Sequence, residues 1–226
     1  ASSTSGASTR VSPLRRCTTW WMSSRTPWTV WCSCTTPSSR KPHTALPRSE
    51  TELPDGAFVF VSFNQTYKIN PGVFDAWMAI LRAVPDAVLW LLTRRDDHPA
   101  IANLRREAQA RGVDAARLVF ATHRPNPDYL ALYRHADLFL DTWPYNAHTT
   151  ASDALWAGCP VLTHLGSTFA GRVAASLVTA AGLPELVQPS VDAYIERAIA
   201  LGRDPSALAR LRAYLEGPGR ASALFD

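Results

Sequence analysis

The chain is predicted to form an α/β domain built on a doubly wound, Rossmann-like parallel sheet. Short apolar runs alternate along residues 57–215 with segments of helical period, and the connections between them are short. The apolar runs carry hydrophobic residues at consecutive positions, which is typical of strands buried on both faces of a parallel sheet. Alternation of this kind favours helices packed on both sides of that sheet.

The first strand and helix follow a turn at Pro54-Asp55-Gly56. Ala57 through Phe63 form an apolar run of strand length, and Pro71 opens a helix that continues to about Val84. Four large apolar side chains recur in this helix at a spacing that predicts one core-facing side. They are Phe74, Trp77, Met78 and Leu81.

The later elements follow the same alternation. Four further strands are expected at 87–92, 117–122, 138–140 and 160–164. Further helices are expected at 99–111, 128–135, 149–158, 170–181, 192–201 and 205–215. Gly112 and Gly158 stand where two of these helices should end, a position that glycine favours. Ligands of such sheets bind beyond the carboxyl ends of the strands, so the polar loops at that edge are the first candidates for a site.

Residues 141–160 combine a strand end, a loop and a helix opened by small polar residues. Thr149 or Thr150 is expected to cap this helix, with Asp153 in the capping-box position. The free N–H groups at the helix start would face the carboxyl edge of the sheet, where they can bind an anion such as phosphate. His148 adds a further donor there. The alternative interpretation is a capped helix without a ligand.

Lys68 is the candidate side chain for holding a phosphate. Neither GxGxxG nor GxxxxGK[ST] occurs, so a bound nucleotide would depend on the helix start at 148–150 and on isolated side chains. Lys68 stands in a loop after the first apolar strand, with no acid near it in the sequence. A surface lysine without a ligand is the alternative.

The charge and the cysteines exclude several classes of protein. Residues 1–50 hold seven basic residues and one acid, whereas residues 51–226 are slightly acidic, which argues against a nucleic-acid partner. No apolar run approaches the roughly 20 residues of a membrane-spanning helix, so no membrane partner is expected. The cysteines indicate neither a metal site nor a disulfide framework, and a reducing, cytoplasmic setting is expected. They are Cys17, Cys32, Cys34 and Cys159.

Residues 1–52 are expected to be disordered or atypical, and residues 53–226 to form the folded domain. Serine and threonine fill 20 of the first 50 positions, and neither a strand period nor a helix period is present. Two interpretations stay open for this stretch. It is either a basic arm for an acidic partner or the product of a wrong reading frame.

Four segments together carry a family resemblance that covers roughly residues 53–226. The segments are Phe63–Ile69, Val84–Leu92, Asp141–Gly158 and Phe169–Ser176. They resemble the carboxyl-terminal part of the protein O-linked N-acetylglucosamine transferases, glycosyltransferase family 41, and its bacterial members in particular. The resemblance implies the second half of a B-type, two-domain glycosyltransferase, with the UDP-sugar held between two doubly wound domains. Residues 53–226 would then be the donor-binding domain.

The resemblance also implies roles for single residues. Lys68 matches the catalytic lysine that contacts the donor phosphates and stabilises the departing UDP, and Gln65 matches a glutamine at the same nucleotide. A lysine and a helix start can stabilise the charge of the leaving group, so no metal cofactor is expected. Asp96-Asp97 is the nearest acidic pair to a metal motif, and an exposed loop pair is the favoured interpretation of it.

Further residues match positions at the nucleotide. His148, Thr149 and Thr150 match the family's residues at the pyrophosphate and ribose, and Asp153 matches the aspartate that holds the ribose. Tyr129 stands where the family often has a histidine, and its ring could still stack on the uracil.

The implied activity is an inverting transfer of N-acetylglucosamine from UDP-GlcNAc to serine and threonine hydroxyls of acceptor proteins. The family's first catalytic domain and its helical repeats should precede this segment, so the isolated chain is expected to be incomplete and inactive by itself. Two alternatives stay open. One is a truncated nucleotide-binding module without turnover, and the other is an enzyme like the UDP-sugar epimerases, which share the two-domain fold.

Overall fold

A parallel sheet of six strands forms the centre of the computed structural model, which describes residues 46–94 and 98–225. The strands are β1 (Phe58–Ser62), β2 (Ala87–Thr93), β3 (Leu118–Thr122), β4 (Leu138–Leu140), β5 (Val161–His164) and β6 (Val187–Gln188). Their order across the sheet is β3-β2-β1-β4-β5-β6. The chain therefore starts in the middle, builds outward to β3, returns to the middle and builds outward to β6, which is the doubly wound topology that the sequence predicts.

The helices of the described ranges agree with the predicted elements to within three residues. They are α1 (Pro71–Ala83), α2 (His98–Ala110), α3 (Asn126–Leu132), α4 (Thr149–Trp156), α5 (Val173–Ala180), α6 (Val191–Arg203) and α7 (Pro205–Glu216). Among the strands described, β6 alone was not predicted from the sequence. This strand has two residues, too few to show any period, and it follows a 3-10 turn at Pro184–Leu186.

The core lies on both sides of the inner strands. All seven residues of β2 are buried, which explains its unbroken apolar sequence. The four side chains predicted on the inner face of α1 are all buried, and Trp77 is completely so. Trp77 donates its indole N–H to the hydroxyl of Tyr194 in α6, at 3.3 Å. The burial of this large ring therefore leaves its indole N–H with a partner.

The start of α4 differs from the prediction. Neither Thr149 nor Thr150 caps this helix: the N-cap is His148, and its side chain makes no capping hydrogen bond. Asp153 is 9% exposed and lies in the second turn, so it does not act in a capping box. The loop before α4 is fixed by other groups, described below, and the N-cap therefore lies one or two residues before the predicted one. Its end is as predicted, with Gly158 at a φ of 85°.

The predicted boundary at residue 53 stays a prediction. Leu46 and Leu53 pack against the core, and Thr51 is 5% exposed, so the residues just before the boundary contact the domain. Residues 1–45, on which the two interpretations of the amino-terminal stretch depend, lie outside the described residues, as do Asp96 and Asp97.

The topology brings two connections to one place. β1 and β4 are neighbours in the sheet, with Phe60 opposite Leu138, although 75 residues follow β1 before β4 begins. Winding reverses at this pair, and a cleft forms beyond the carboxyl ends of the two strands. The connection from β1 to α1 and the connection from β4 to α4 both leave the sheet there.

Asn70 links the two connections, and its substitution measures how much that link stabilises the fold. It caps α1 by accepting from Val73 N–H at 3.1 Å, and its Nδ2 donates to Trp143 O at 2.5 Å in the other connection. Ser190 caps α6 in the same way, accepting from Ala193 N–H at 3.1 Å. We expect Ser190→Ala to cost about 1 kcal/mol and Asn70→Ala about 2 kcal/mol, measured by urea denaturation. Equal losses of stability in the two variants would contradict a stabilising link between the connections.

Candidate functional site

Lys68 and the start of α4 lie side by side at the carboxyl edge of the sheet. Lys68 ends a 3-10 turn, Thr66–Lys68, in the connection from β1 to α1. Its Nζ donates to Asn146 O at 2.8 Å and lies 3.5 Å from Asn64 Oδ1. Asn146 stands two residues before the N-cap His148, so the structure brings the ammonium to the helix start, as the sequence analysis expects.

The first turn of α4 offers backbone donors beside this ammonium. Ala151 and Ser152 already donate their N–H groups to His148 O, each at 3.1 Å. Helix geometry leaves the amides of Thr149 and Thr150 without partners inside the helix, and the helix dipole adds partial positive charge there. Together with Lys68, these amides can hold an anion.

A buried carboxylate anchors the connection between β4 and α4. Asp141 is completely buried and accepts from Ala147 N–H at 2.7 Å and from the Thr163 hydroxyl at 2.6 Å. The hydroxyl of Tyr194 donates to Asp141 O at 3.1 Å. Burial raises the pKa of Asp141 to about 7, against the opposing effects of these hydrogen bonds and of Lys68. Asp141 was not among the predicted site residues, although a polar residue directly after a buried strand is a signal for this edge.

Further hydrogen bonds close the same loop on itself. The Thr142 hydroxyl donates to Tyr145 O at 2.8 Å, and Asn146 Nδ2 donates to Thr142 O at 2.7 Å. Both Thr142 and Asn146 are completely buried, so these bonds replace water for groups that would otherwise be unsatisfied. The loop is therefore held in one conformation before any ligand arrives.

The loop between β5 and α5 forms the neighbouring wall. Ala170 O accepts from Asn146 N–H at 3.0 Å and lies 3.4 Å from Nε2 of His148. A Cβ added to Gly171 would lie 2.8 Å from Pro144 O, so only glycine permits this approach of the two loops. The close packing fixes the ring of His148 beside the helix start.

Lys68 and His148 both contact the ring of Tyr145, and burial lowers the pKa of both. The ring of Tyr145 lies 4.0 Å from Lys68 Nζ, in a cation–π contact, and 5.0 Å from the ring of His148. Burial lowers the pKa of Lys68, and the charge of Asp141 opposes that shift. Burial, together with the charge of Lys68, lowers the pKa of His148 below 6.5, so this ring is neutral at neutral pH.

The remaining predicted residues lie around this centre at different depths. Gln65 is exposed at the start of the 3-10 turn, and Thr149 is exposed at the start of α4. Asp153 faces inward. Burial raises the pKa of Tyr129, and the charge of Asp153 adds to that shift. Tyr129 packs against Phe63 and shares a 2.7 Å hydrogen bond with the hydroxyl of Tyr133. The structure thus groups Lys68 with residues 148–150, while the ligand contacts of all these residues stay predictions.

A second concavity lies at the opposite, amino edge of the sheet. It has a volume of about 620 Å³, and its lining includes Arg48, Asp137 and Arg203. Arg203 donates to Ala83 O, Arg48 donates to Pro54 O, and Asp137 accepts from Val59 N–H. Because these charged groups are engaged with the backbone, we assign the candidate site to the carboxyl edge despite the size of this cavity.

Metal-binding clusters and membrane-spanning helices are both absent from the described ranges. Within residues 46–94 and 98–225, no group of three or more His, Cys, Asp or Glu side chains is placed to hold a metal ion. In that same part of the chain, no helix combines the length and the apolar character needed to cross a bilayer.

Comparison with known proteins relates this chain to transferases. The model of glycosyl transferase family 41 matches residues 33–226. A UDP-N-acetylglucosamine–peptide N-acetylglucosaminyltransferase of Caenorhabditis elegans is 40% identical over 179 residues, which are 79% of this chain. A solved variant of the Thermobaculum terrenum O-GlcNAc transferase is 43% identical, with a TM-score of 0.72 over 76% of this chain.

The matches cover only part of these relatives. The chain spans 15% of the Caenorhabditis elegans protein and 33% of the Thermobaculum terrenum chain. A more distant likeness, at 14% identity and a TM-score of 0.53, covers 86% of a C-terminal domain of a group 1 glycosyl transferase from Francisella tularensis. That likeness shows the fold alone.

The buried carboxylate makes stability depend on pH. The pKa of Asp141 is raised from 3.8 to about 7, so the folded protein keeps a proton that the unfolded chain has lost between these values. This contribution to the free energy of unfolding is complete below the lower value and is lost as the pH rises through the upper one. In urea denaturation, Asp141→Asn should be more stable than the parent at pH 8, by about 2 kcal/mol.

Asp204 supplies a control of opposite sign. It caps α7, and hydrogen bonds from Ser206 and Ala207 lower its pKa, so its stabilising effect is present at neutral pH and is lost on acidification. Asp204→Asn should therefore be less stable than the parent at pH 8. If the stability of Asp141→Asn depends on pH in the same way as that of the parent, the raised pKa assigned to the buried Asp141 is wrong.

Proposed function

Because the chain belongs to glycosyl transferase family 41, we propose that it is the donor-binding half of an inverting glycosyltransferase. The reaction would move N-acetylglucosamine from UDP-GlcNAc to serine and threonine hydroxyls of proteins. Residues 33–226 match the family, which confirms the resemblance found in the sequence, and the doubly wound fold is confirmed by the sheet and its structural neighbours. The observation that carries the proposal is the Lys68 ammonium held 2.8 Å from Asn146 O, beside the start of α4.

The chemistry of the step explains why such a site is useful. The acceptor hydroxyl releases its proton to solvent as its oxygen forms a bond to C1 of the sugar. The bond from C1 to the phosphate oxygen breaks, and UDP leaves with an additional negative charge. Lys68 and the amides of Thr149 and Thr150 are fixed in place before the reaction, so they can stabilise that charge without reorganisation. They supply the positive charge by themselves, and we therefore propose a transfer that needs no resident metal.

The other predicted residues are proposed to hold the nucleotide. His148 lies at the N-cap of α4, within reach of a phosphate on the first turn, and Gln65 lies at the rim of the same cleft. Asp153 and Tyr129 lie deeper, and they are proposed for the ribose and the uracil. Their positions around the helix start support these assignments, which follow from the family resemblance.

A complete cleft would need a second wall. The carboxyl edge carries exposed aromatic side chains, with Tyr67 at 72% and Phe169 at 69% exposure. We propose that this edge faces a further catalytic domain. That domain, together with helical repeats, would supply the acceptor groove. We also propose that the enzyme is cytoplasmic. A nucleotide-binding module without turnover and an epimerase-like enzyme are not favoured, because the family and the curated relatives are transferases.

Removal of the Lys68 charge tests the donor site. Lys68→Met keeps most of the aliphatic stem but loses the ammonium, and a charge-assisted contact is worth about 1.5–3 kcal/mol. We expect this variant to bind UDP roughly 10- to 100-fold more weakly than the parent in isothermal titration calorimetry.

Arg203→Met is the matched control for this experiment. Arg203 is also a cation bound to a backbone carbonyl, Ala83 O, but it lies at the opposite edge of the sheet. It should bind UDP as the parent does. Equal UDP affinity in Lys68→Met and the parent would show that the phosphates do not meet Lys68, and the proposed function would lose its main support.

A further inference from the structure

Asp141 places a carboxylate directly behind the start of α4. The side chain is completely buried, and one of its oxygens accepts from the N–H of Ala147, the residue before the N-cap His148. A ligand on the first turn would therefore interact with the charge of Asp141 across protein rather than across water. Screening along such a path is weak.

Lys68 carries the charge that Asp141 offsets. Its Nζ is bound to Asn146 O, one residue before Ala147, and the attraction between the two charges acts on the pKa of both side chains. With Asp141 ionised, the charges of the pair sum to zero. With Asp141 protonated, the positive charge of Lys68 is uncompensated, and a diphosphate favours this second state.

The hydrogen bonds around Asp141 accommodate both protonation states. The Thr163 hydroxyl donates to Asp141 Oδ2 at 2.6 Å and lies 3.5 Å from a second acceptor, His164 O. A protonated carboxyl can donate to Thr163 Oγ1, while the Thr163 hydroxyl turns its own proton to His164 O. Ala147 N–H keeps its acceptor on the other carboxyl oxygen. The loop can therefore change its charge without losing its anchor.

We propose that Asp141 takes up a proton when a nucleoside diphosphate binds at the start of α4, so that Lys68 meets the ligand with its charge uncompensated. The inference rests on the proposed donor site. It makes Asp141 a positioning residue, which acts on the donor through Lys68. The proton comes from the solvent, and no covalent bond of the donor changes in this step.

Other titratable groups lie on the elements around Asp141. Tyr194 of α6 and His148 of α4 stay neutral between pH 7 and 9, because burial raises the pKa of the first and lowers that of the second. His164 follows Thr163 on β5, with Nδ1 3.3 Å from the carbonyl oxygen of Gln188. Lys68 can itself exchange a proton, so the test must separate Lys68 from Asp141.

Calorimetry can count the protons. UDP is titrated into the chain at pH 8 in buffers of different ionisation enthalpy; its terminal phosphate, with a pKa of about 6, is already ionised there. The parent should take up as much as one proton per UDP, and its affinity should fall by at most about tenfold per pH unit above pH 7. Asp141→Asn keeps an acceptor for Ala147 N–H and can donate to Thr163, so it mimics the neutral form. It should bind UDP at pH 8 more tightly than the parent, without proton uptake.

Two further variants make the result decisive. Thr163→Val removes a hydrogen bond that favours ionised Asp141, so the pH of half-maximal proton uptake should rise. Asp137→Asn alters a partly buried carboxylate, which accepts from Val59 N–H beyond the opposite end of β4. It should bind UDP with the same uptake as the parent.

The outcomes separate this inference from the proposed function. Proton uptake that is equal in the parent and in Asp141→Asn overturns the role of Asp141 and leaves the donor site intact, because UDP still binds. If Asp141→Asn does not fold, the test uses Thr163→Val. A pH profile of proton uptake that is the same in Thr163→Val and in the parent then overturns the role of Asp141. A parent chain that does not bind UDP overturns both proposals.

Discussion

The hydrogen bond from Lys68 Nζ to Asn146 O, 2.8 Å long, joins the two connections on which the site depends. One connection follows β1 and the other follows β4, and they meet only because these strands are neighbours in the sheet. A lysine distant in sequence is thereby held next to a helix start. Each feature alone is common in proteins, and we propose that their juxtaposition lets this edge bind a diphosphate.

The bond is effective because the loop that accepts it is rigid. Asp141, Thr142 and Asn146 are completely buried, and each is hydrogen-bonded inside the protein. Any movement of the loop would leave buried polar groups without partners, at a cost of about 1–3 kcal/mol for each group. The helix amides and the ammonium are therefore held in place before a ligand binds, which the proposed stabilisation of a leaving group requires. The same burial raises the pKa of Asp141 to about 7, so the charge at the site changes with pH near neutrality.

The fold and the centre of the site were predictable because they follow from local patterns and topology. Apolar runs located the strands, and the doubly wound order placed Lys68 near residues 148–150. The N-cap of α4 was predicted wrongly, because the loop before it is set by contacts distant in sequence, such as Asp141 with Thr163. Asp141 was overlooked for the same reason: its burial and its partners exist only in the folded chain. β6 was too short to carry a pattern.

The central claim, that a diphosphate rests on the start of α4 beside Lys68, is tested most directly by nuclear magnetic resonance of the backbone amides during titration with inorganic pyrophosphate. The amides of Thr149 and Thr150 should show the largest shift changes, since they would donate directly to the anion. Changes concentrated instead at the amino edge, around Arg48 and Arg203, would contradict the account.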